Sequence, residues 1–226
     1  MQWVWENFSE IWGYTLDHIG LSVPPILAGF VLSIPFGYWA SRSPVSRSVL
    51  LTVFSILYTL PALVLFVLVP VALGLSILDP NNVIYALTIY AMAIMIRSAN
   101  DGFSAVSADV RESARAVGYS PVQRFFRVEL PLAGPVLLAG IRVVSVSTVS
   151  LATIGGFIGI PSLGNLIQTG YQIHFFPEIW SGIIAVLVIA AVFDLILNLV
   201  GRLLMPWNRR RTRRAASRMV NAQVAT

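Results

Sequence analysis

Five apolar runs, each close to the length of a membrane-spanning helix, dictate what this chain can fold into. They cover about Leu21 to Ala40, Val49 to Leu73, Val83 to Ile96, Leu132 to Ile154 and Ile179 to Leu204. A helix needs ~20 apolar residues to cross hydrocarbon, with a range of roughly 17–25. Only the third run needs its flanks to reach that length. Composition agrees. The chain is 57% hydrophobic and 11% charged, where a soluble domain carries about 25% charged residues. In lipid each segment must satisfy its own backbone hydrogen bonds, so the expected fold is all-α and polytopic, with about five transmembrane helices.

Arginine placement sets the topology. The chain has no Lys, and all fifteen of its basic residues are Arg. Five spans put one set of connections on one side: the loop with Arg42 and Arg47, the insert with Arg97, Arg111, Arg115, Arg124 and Arg127, and the tail with Arg202, Arg209, Arg210, Arg211, Arg213, Arg214 and Arg218. The opposite side receives no Arg but holds Glu6, Glu10, Asp17, Asp79 and Glu178. The positive-inside rule then predicts an external N-terminus and a cytoplasmic C-terminus. Residues 1–19, with Trp3, Trp5, Phe8, Trp12 and Tyr14, read as an external interfacial segment. Residues 20–205 form the transmembrane domain, interrupted by a cytoplasmic insert at 98–131, and 206–226 form a basic cytoplasmic tail beside lipid headgroups. That tail lacks the interleaved aromatics that would favour nucleic acid.

Several functions are excluded. A phosphate-binding P-loop needs a Lys on the nucleotide phosphates, so any ATP-driven step requires a separate polypeptide. With no Cys, disulfides and thiolate metal sites are impossible. His18 and His174 are far apart and form no ligand motif, so no metal site is expected. The first apolar run follows Glu6, Glu10 and Asp17 instead of a basic segment, which reads as a span and not as a cleaved leader.

The insert is the most punctuated part of the chain. Residues 111–131 read RESARAVGYSPVQRFFRVELP. Asp109 can N-cap a first helix, with Glu112 three residues on at the capping-box position, and Gly118 can stop it. Ser120 then caps a second helix, with Pro121 at its first position and Gln123 completing a capping box. Pro131 marks the next boundary. Such spacing predicts a folded docking element.

The same residues resemble the "EAA" loop of bacterial ABC importer permeases: Glu-Ala-Ala, three residues, Gly, nine residues, an aliphatic, one residue, Leu-Pro. Glu112, Ser113, Ala114, Gly118, Val128, Leu130 and Pro131 stand at those positions, with Ser113 and Val128 as mild departures. The chain further resembles the osmoprotectant branch of these permeases, importers of glycine betaine, carnitine, choline or similar solutes. The matching stretches are Tyr58 to Leu63, Ile96 to Gly102, Leu138 to Arg142, and Ala152 to Ile154 leading to Ser162 to Gly164. Gly159 to Gly164 departs from the branch's Gly-Ala-Gly-Gly-Leu-Gly, which marks either a diverged substrate or one half of a permease heterodimer.

The resemblance implies a type I importer permease fold in the bacterial plasma membrane. It implies two permease subunits, same or different, two cytoplasmic ATPase subunits and an external solute-binding protein. ATP and Mg would sit on the partner ATPase, with no cofactor on this chain and no catalysis by it. The residues matching the EAA loop, Glu112, Ser113, Ala114, Gly118, Leu130 and Pro131, would couple it to the ATPase, and transport would proceed by alternating access.

Four further features stand out. Arg142 lies about 16 Å into the fourth run, and Asp194 lies at a comparable depth in the fifth. An intramembrane Arg is paired or faces water, so these two are expected to meet, either locking two spans or serving the pathway. Prolines interrupt the runs, as ordinary kinks or as pathway-shaping breaks, and Thr59-Leu60-Pro61 is the best candidate for a pathway bend. Tyr58, Tyr85, Tyr90 and Trp39 could offer aromatic faces to a quaternary ammonium. Gly155 to Gly170 is apolar but rich in breakers, predicting a short outer helix near 162–169 that faces a partner subunit or the pathway. An amino-acid importer permease is the alternative within this class. A self-sufficient secondary transporter is a more distant one, with Asp194 as its sole intramembrane acid of note.

Overall fold

The structure is a computed structural model, and it describes residues 2–76 and 78–207. These form eleven α-helices and one π turn, with no strand among the described residues. A short α1 (Gln2–Glu6) precedes α2 (Phe8–Ala40), and α3 (Pro44–Thr59) and α4 (Ala62–Leu73) follow. Then come α5 (Pro80–Ser104) and the small α6 (Ala108–Ala116) and α7 (Pro121–Arg124). A π turn (Phe125–Glu129) leads into α8 (Leu130–Ala152). The described residues close with α9 (Ile154–Phe157), α10 (Gly164–Gln172) and α11 (Phe176–Leu204). Among the described residues four helical stretches are long and apolar enough to cross a bilayer, and α3 with α4 makes a fifth if that bent pair is one span.

The second predicted span is therefore not one helix. It breaks at Leu60-Pro61, and its halves are bent by 107°. Pro61 drives Leu60 out of the helical region, to φ −67°, ψ 135°, because the pyrrolidine ring clashes with an α-conformed predecessor. At 16 and 12 residues, neither half alone reaches the ~20 needed to span.

Two other expected breaks are absent. No boundary separates a lead-in from the first span: α2 runs unbroken for 33 residues, about 50 Å, through Pro24, Pro25 and Pro35. Its first turns pack on the chain's own body, where Ile11 and Tyr14 join Leu163, Leu166 and Ile189. Pro131 ends nothing either. It lacks an N–H, and its ring presses on the carbonyl four residues back. The backbone widens by one π turn, in which the Leu130 N–H donates to the Phe125 carbonyl, and continues into α8.

Close backbone approach holds the bundle together. Along α2, Gly29, Ser33 and Gly37 recur every fourth residue and are buried, facing Ala91 and Ala99 of α5. A Cβ on Gly29 would lie 2.4 Å from the Ala91 Cβ, and one on Gly37 would lie 2.3 Å from the Ala99 Cβ. In lipid, packing and not water exclusion drives helix association, and small residues at this spacing permit it. α8 lies against α5, and α11 against α8 and α10. The breaker-rich segment folds as α9 and α10, two residues later than predicted at its start. Ile160, Ser162, Leu163 and Leu166 are buried within this same chain.

Candidate functional site

The punctuated insert forms two short helices at one end of the bundle. α6 starts after Ser107, which holds the extended N-cap conformation without a side-chain bond. Asp109 is thus not the cap. It lies inside the first turn, where its charge favours the helix dipole. Gly118 closes α6 at φ +89°. Its N–H donates to the Arg115 carbonyl at 2.9 Å and the Tyr119 N–H to that of Ala114 at 3.1 Å, the pairing of a Schellman motif. α7 opens with the predicted capping box: the Gln123 N–H donates to Ser120 Oγ, and the Ser120 N–H to Gln123 Oε1.

Glu112 and Ser113 are exposed on α6, whereas Ala114 is buried against its own chain. Val117, Val122 and Phe126 are exposed apolar residues on the same insert, at 78%, 65% and 61%. Leu130 and Pro131 are half-buried in the widened turn and the start of α8.

Beneath this insert lies a cluster that the sequence alone did not reveal. The Glu129 side chain is fully buried and takes charge from three arginines. Arg124 Nε donates to its Oε1 at 2.9 Å, Arg42 Nη2 donates to its Oε2, and Arg111 Nε is 3.9 Å away. Arg111 also donates through Nη2 to the carbonyls of Phe103 and Val106, both at 2.8 Å, at the end of α5. Arg42 stacks over the Tyr38 ring at 4.3 Å, a cation–π contact. Tyr38 in turn meets Phe103 and Phe125 edge-on. One carboxylate thus ties the α2–α3 loop, α6, α7 and the π turn to one another. A lone acid at the threshold of an apolar run, amid arginines, was the available signal.

A polar groove runs along α3. No residue of α3 is buried. Ser48, Thr52, Ser55 and Thr59, spaced 4, 3 and 4 apart, occupy one face. With Leu51, Ile56 and Arg97 of α5 they line a cavity of about 340 Å³. Ser48 and Leu51 also line an adjoining cavity of about 440 Å³, together with Arg42, Arg47 and Ser104. Arg97, expected in the insert, instead lies within α5 and donates to Ser55 Oγ at 3.2 Å.

Tyr58, Tyr90 and Pro61, three of the five residues expected along the pathway, converge where α3 breaks. Tyr90 donates its hydroxyl to the carbonyl of Leu60, the residue before Pro61. The Tyr58 ring stands edge-on to Tyr90, with centroids 6.0 Å apart. Tyr85, five positions from Tyr90 and so about 140° round α5, lies exposed on another face. Trp39 is likewise exposed.

Arg142 and Asp194 do meet. Nε donates to Oδ1 at 2.6 Å and Nη2 to Oδ2 at 3.0 Å, a bidentate pair linking α8 and α11. Asn198 adds a third bond to Asp194 Oδ2 at 3.0 Å.

The chain is similar to several characterised permeases. It is 29% identical over 91% of its length to the choline transport system permease protein OpuBB of Bacillus subtilis, of which it covers 94%. It is 31% identical over 84% of its length to the osmoprotectant import permease protein OsmY of Salmonella typhimurium, of which it covers 80%. Its fold matches that of the MetNI methionine ABC transporter in inward-facing form, with a TM-score of 0.73 at 20% identity, over 86% of this chain and 95% of that one. The chain's residues 29–214 match one family throughout, and it belongs to the binding-protein-dependent transport system inner membrane components, as a multi-pass protein of the bacterial plasma membrane.

Proposed function

We propose that this chain is the membrane-spanning permease subunit of an ATP-driven importer of compatible solutes such as glycine betaine, carnitine or choline. The observation that carries the reading is α6 with its Schellman cap, a short helix anchored to the bundle through Ala114 and Arg111 and presenting Glu112 and Ser113 outward. The names borne by relatives that match most of this chain's length point to osmoprotectants as its solutes. The likeness to methionine and other amino-acid transporters is one of fold, and it gives the amino-acid alternative less support.

In this reading the α6 end faces the cytoplasm, as the segregation of arginine indicates, and the basic tail lies on that side, outside the described residues. α6 enters a groove on an ABC ATPase, which binds ATP and Mg. A second permease subunit, the same chain or another, completes the pathway, and an external binding protein delivers the solute. The ATPase shifts the permease between states only to the extent that it binds them unequally. The Glu129 cluster gives α6 a stiff connection to the α2–α3 loop and α5, through which a displacement can pass.

The test is reconstitution with the ATPase and binding protein, scoring ATP-dependent uptake of labelled glycine betaine, choline and carnitine with and without Glu112→Ala. Uptake by the intact protein, lost in the variant while the complex still co-purifies, is the expected result. Uptake of amino acids alone would overturn the solute assignment.

A further inference from the structure

Two arginines lie within the long apolar helices of this chain, and they are treated in opposite ways. Arg142 is neutralised by a bidentate carboxylate. Arg97 lies seven residues before the end of α5, about 10 Å from it. Among the described residues no carboxylate stands within ion-pair distance of it, and it makes one hydrogen bond, to Ser55 Oγ. The nearest acid in sequence on that helix, Asp101, lies beside Arg47 at 3.9 Å instead. A guanidinium carries five N–H donors, and Arg97, exposed and lining the groove, uses one of them on Ser55. A guanidinium at the edge of an apolar run is retained only where water, protein or a ligand receives it.

The surroundings suit a small polar ligand. The helix facing Arg97 carries a row of hydroxyls, Ser48, Thr52, Ser55 and Thr59, in an otherwise apolar sequence. The groove continues past Ser48 into the wider cavity beside Arg42 and Arg47. Beside Thr59, the last of these hydroxyls, comes Tyr58, whose exposed ring stands edge-on to Tyr90. Aromatic faces attract ammonium groups, whereas a planar guanidinium binds carboxylates through paired hydrogen bonds. Tyr90 itself is buried with its hydroxyl on the Leu60 carbonyl, so the exposed Tyr58 ring and Arg97 are the successive contacts that a solute meets along the track.

We propose that the α3–α5 groove is a solute-contact surface of this permease, and that Arg97 binds the carboxylate of zwitterionic ammonium carboxylates, selecting them over ammonium cations that lack one. The inference rests on the importer reading and refines it. Glycine betaine presents a carboxylate to Arg97, whereas choline presents only a cation, which Arg97 repels.

The chain has no Cys, so a single introduced thiol reports on the groove. Thr52→Cys, in the permease–ATPase complex in nanodiscs, is labelled with a charged, water-soluble thiol reagent. Glycine betaine is expected to slow labelling by about fivefold, while choline at equal concentration changes it by less than about twofold. Adding Arg97→Gln should abolish the betaine protection, and adding Arg97→Lys should retain part of it. Co-purification of the ATPase identifies assembled variants, and the Lys variant keeps the test decisive if the Gln variant does not assemble. An unreactive thiol, equal protection by both solutes, or protection that survives loss of the charge would overturn the proposal. Osmoprotectant uptake without betaine protection would overturn it while leaving the importer reading in place, and absence of uptake would overturn both.

Discussion

Arg124 and Glu129 are five residues apart, yet Arg124 Nε donates to Glu129 Oε1 at 2.9 Å. In a regular α-helix, partners stand three or four apart. The π turn between them turns a five-residue separation into a contact, and Pro131 is the reason that turn is wide. The proline of the Leu-Pro signature thereby helps to set the geometry of a buried carboxylate on which the arginines of three other elements converge.

Replacing Glu129 should therefore be costly. Glu129→Ala leaves Arg124 and Arg42 without their partner in a buried site, a change worth about 3–5 kcal/mol. Glu129→Gln keeps the shape and one acceptor and should cost less. Thermal unfolding of the purified complex gives the order, with wild type highest and the Ala variant lowest. Equal melting temperatures for all three would show that the cluster contributes nothing to stability.

Gly118 is held at φ +89°, and a Cβ there would meet nothing within 4 Å. The penalty for Gly118→Ala is thus purely one of backbone conformation, about 1–2 kcal/mol, and Gly118→Asn should be milder because Asn tolerates the left-handed region. The loss should appear as weaker ATPase coupling with the bundle intact. Uptake per assembled complex, ranked wild type, Asn, Ala, checks this, and an Ala variant as active as wild type would refute it.

What could be read in the sequence, and what could not, follows from the range of each interaction. The Ser120–Gln123 box and the Gly118 stop are set by residues within one or two turns, so their spacing suffices. Arg142 and Asp194 could be paired across 52 residues because hydrocarbon leaves a charge so few partners and depth can be counted in residues. The N-cap slipped from Asp109 to Ser107 because both residue types serve and tertiary contacts decide. The 107° bend was only half legible: Pro61 marks the break, but its angle depends on what α4 packs against. Glu129 was opaque because its partner Arg42 is 87 residues distant and its contact with Arg124 depends on a π turn. The prolines of α2 suggested interruption where neighbouring helices sustain a continuous one.

Packing at Gly29 predicts a compensating pair. Gly29→Ala pushes a methyl group to 2.4 Å from the Ala91 Cβ, an overpacking worth about 1–3 kcal/mol. Adding Ala91→Gly removes the nearest obstacle, so the double variant should regain most of the lost stability. The yield of monodisperse protein after detergent extraction measures it. A double variant no better than Gly29→Ala would mean that the two helices do not meet at these residues.

The Arg142–Asp194 pair is open to a similar cycle, with function as a second readout. Removing either partner strands a charge between α8 and α11, so Arg142→Ala and Asp194→Ala should each lower the yield of assembled complex several-fold. Arg142→Met combined with Asp194→Leu removes both charges and keeps the volume, and uncharged side chains suit the hydrocarbon better than one stranded ion. If the pair is a lock between two spans, the double variant should assemble better than either single variant and should transport. If it serves the pathway, assembly should recover while ATP-dependent uptake stays low. Asn198 sharpens the choice, because it bonds to Asp194 from the next turn of the same helix and loses its partner only when Asp194 is replaced. The geometry favours the lock: both oxygens of Asp194 are taken, leaving little of the pair for a passing solute. Recovery of both assembly and uptake in the double variant is the expected outcome, and recovery of assembly alone would assign the pair to transport.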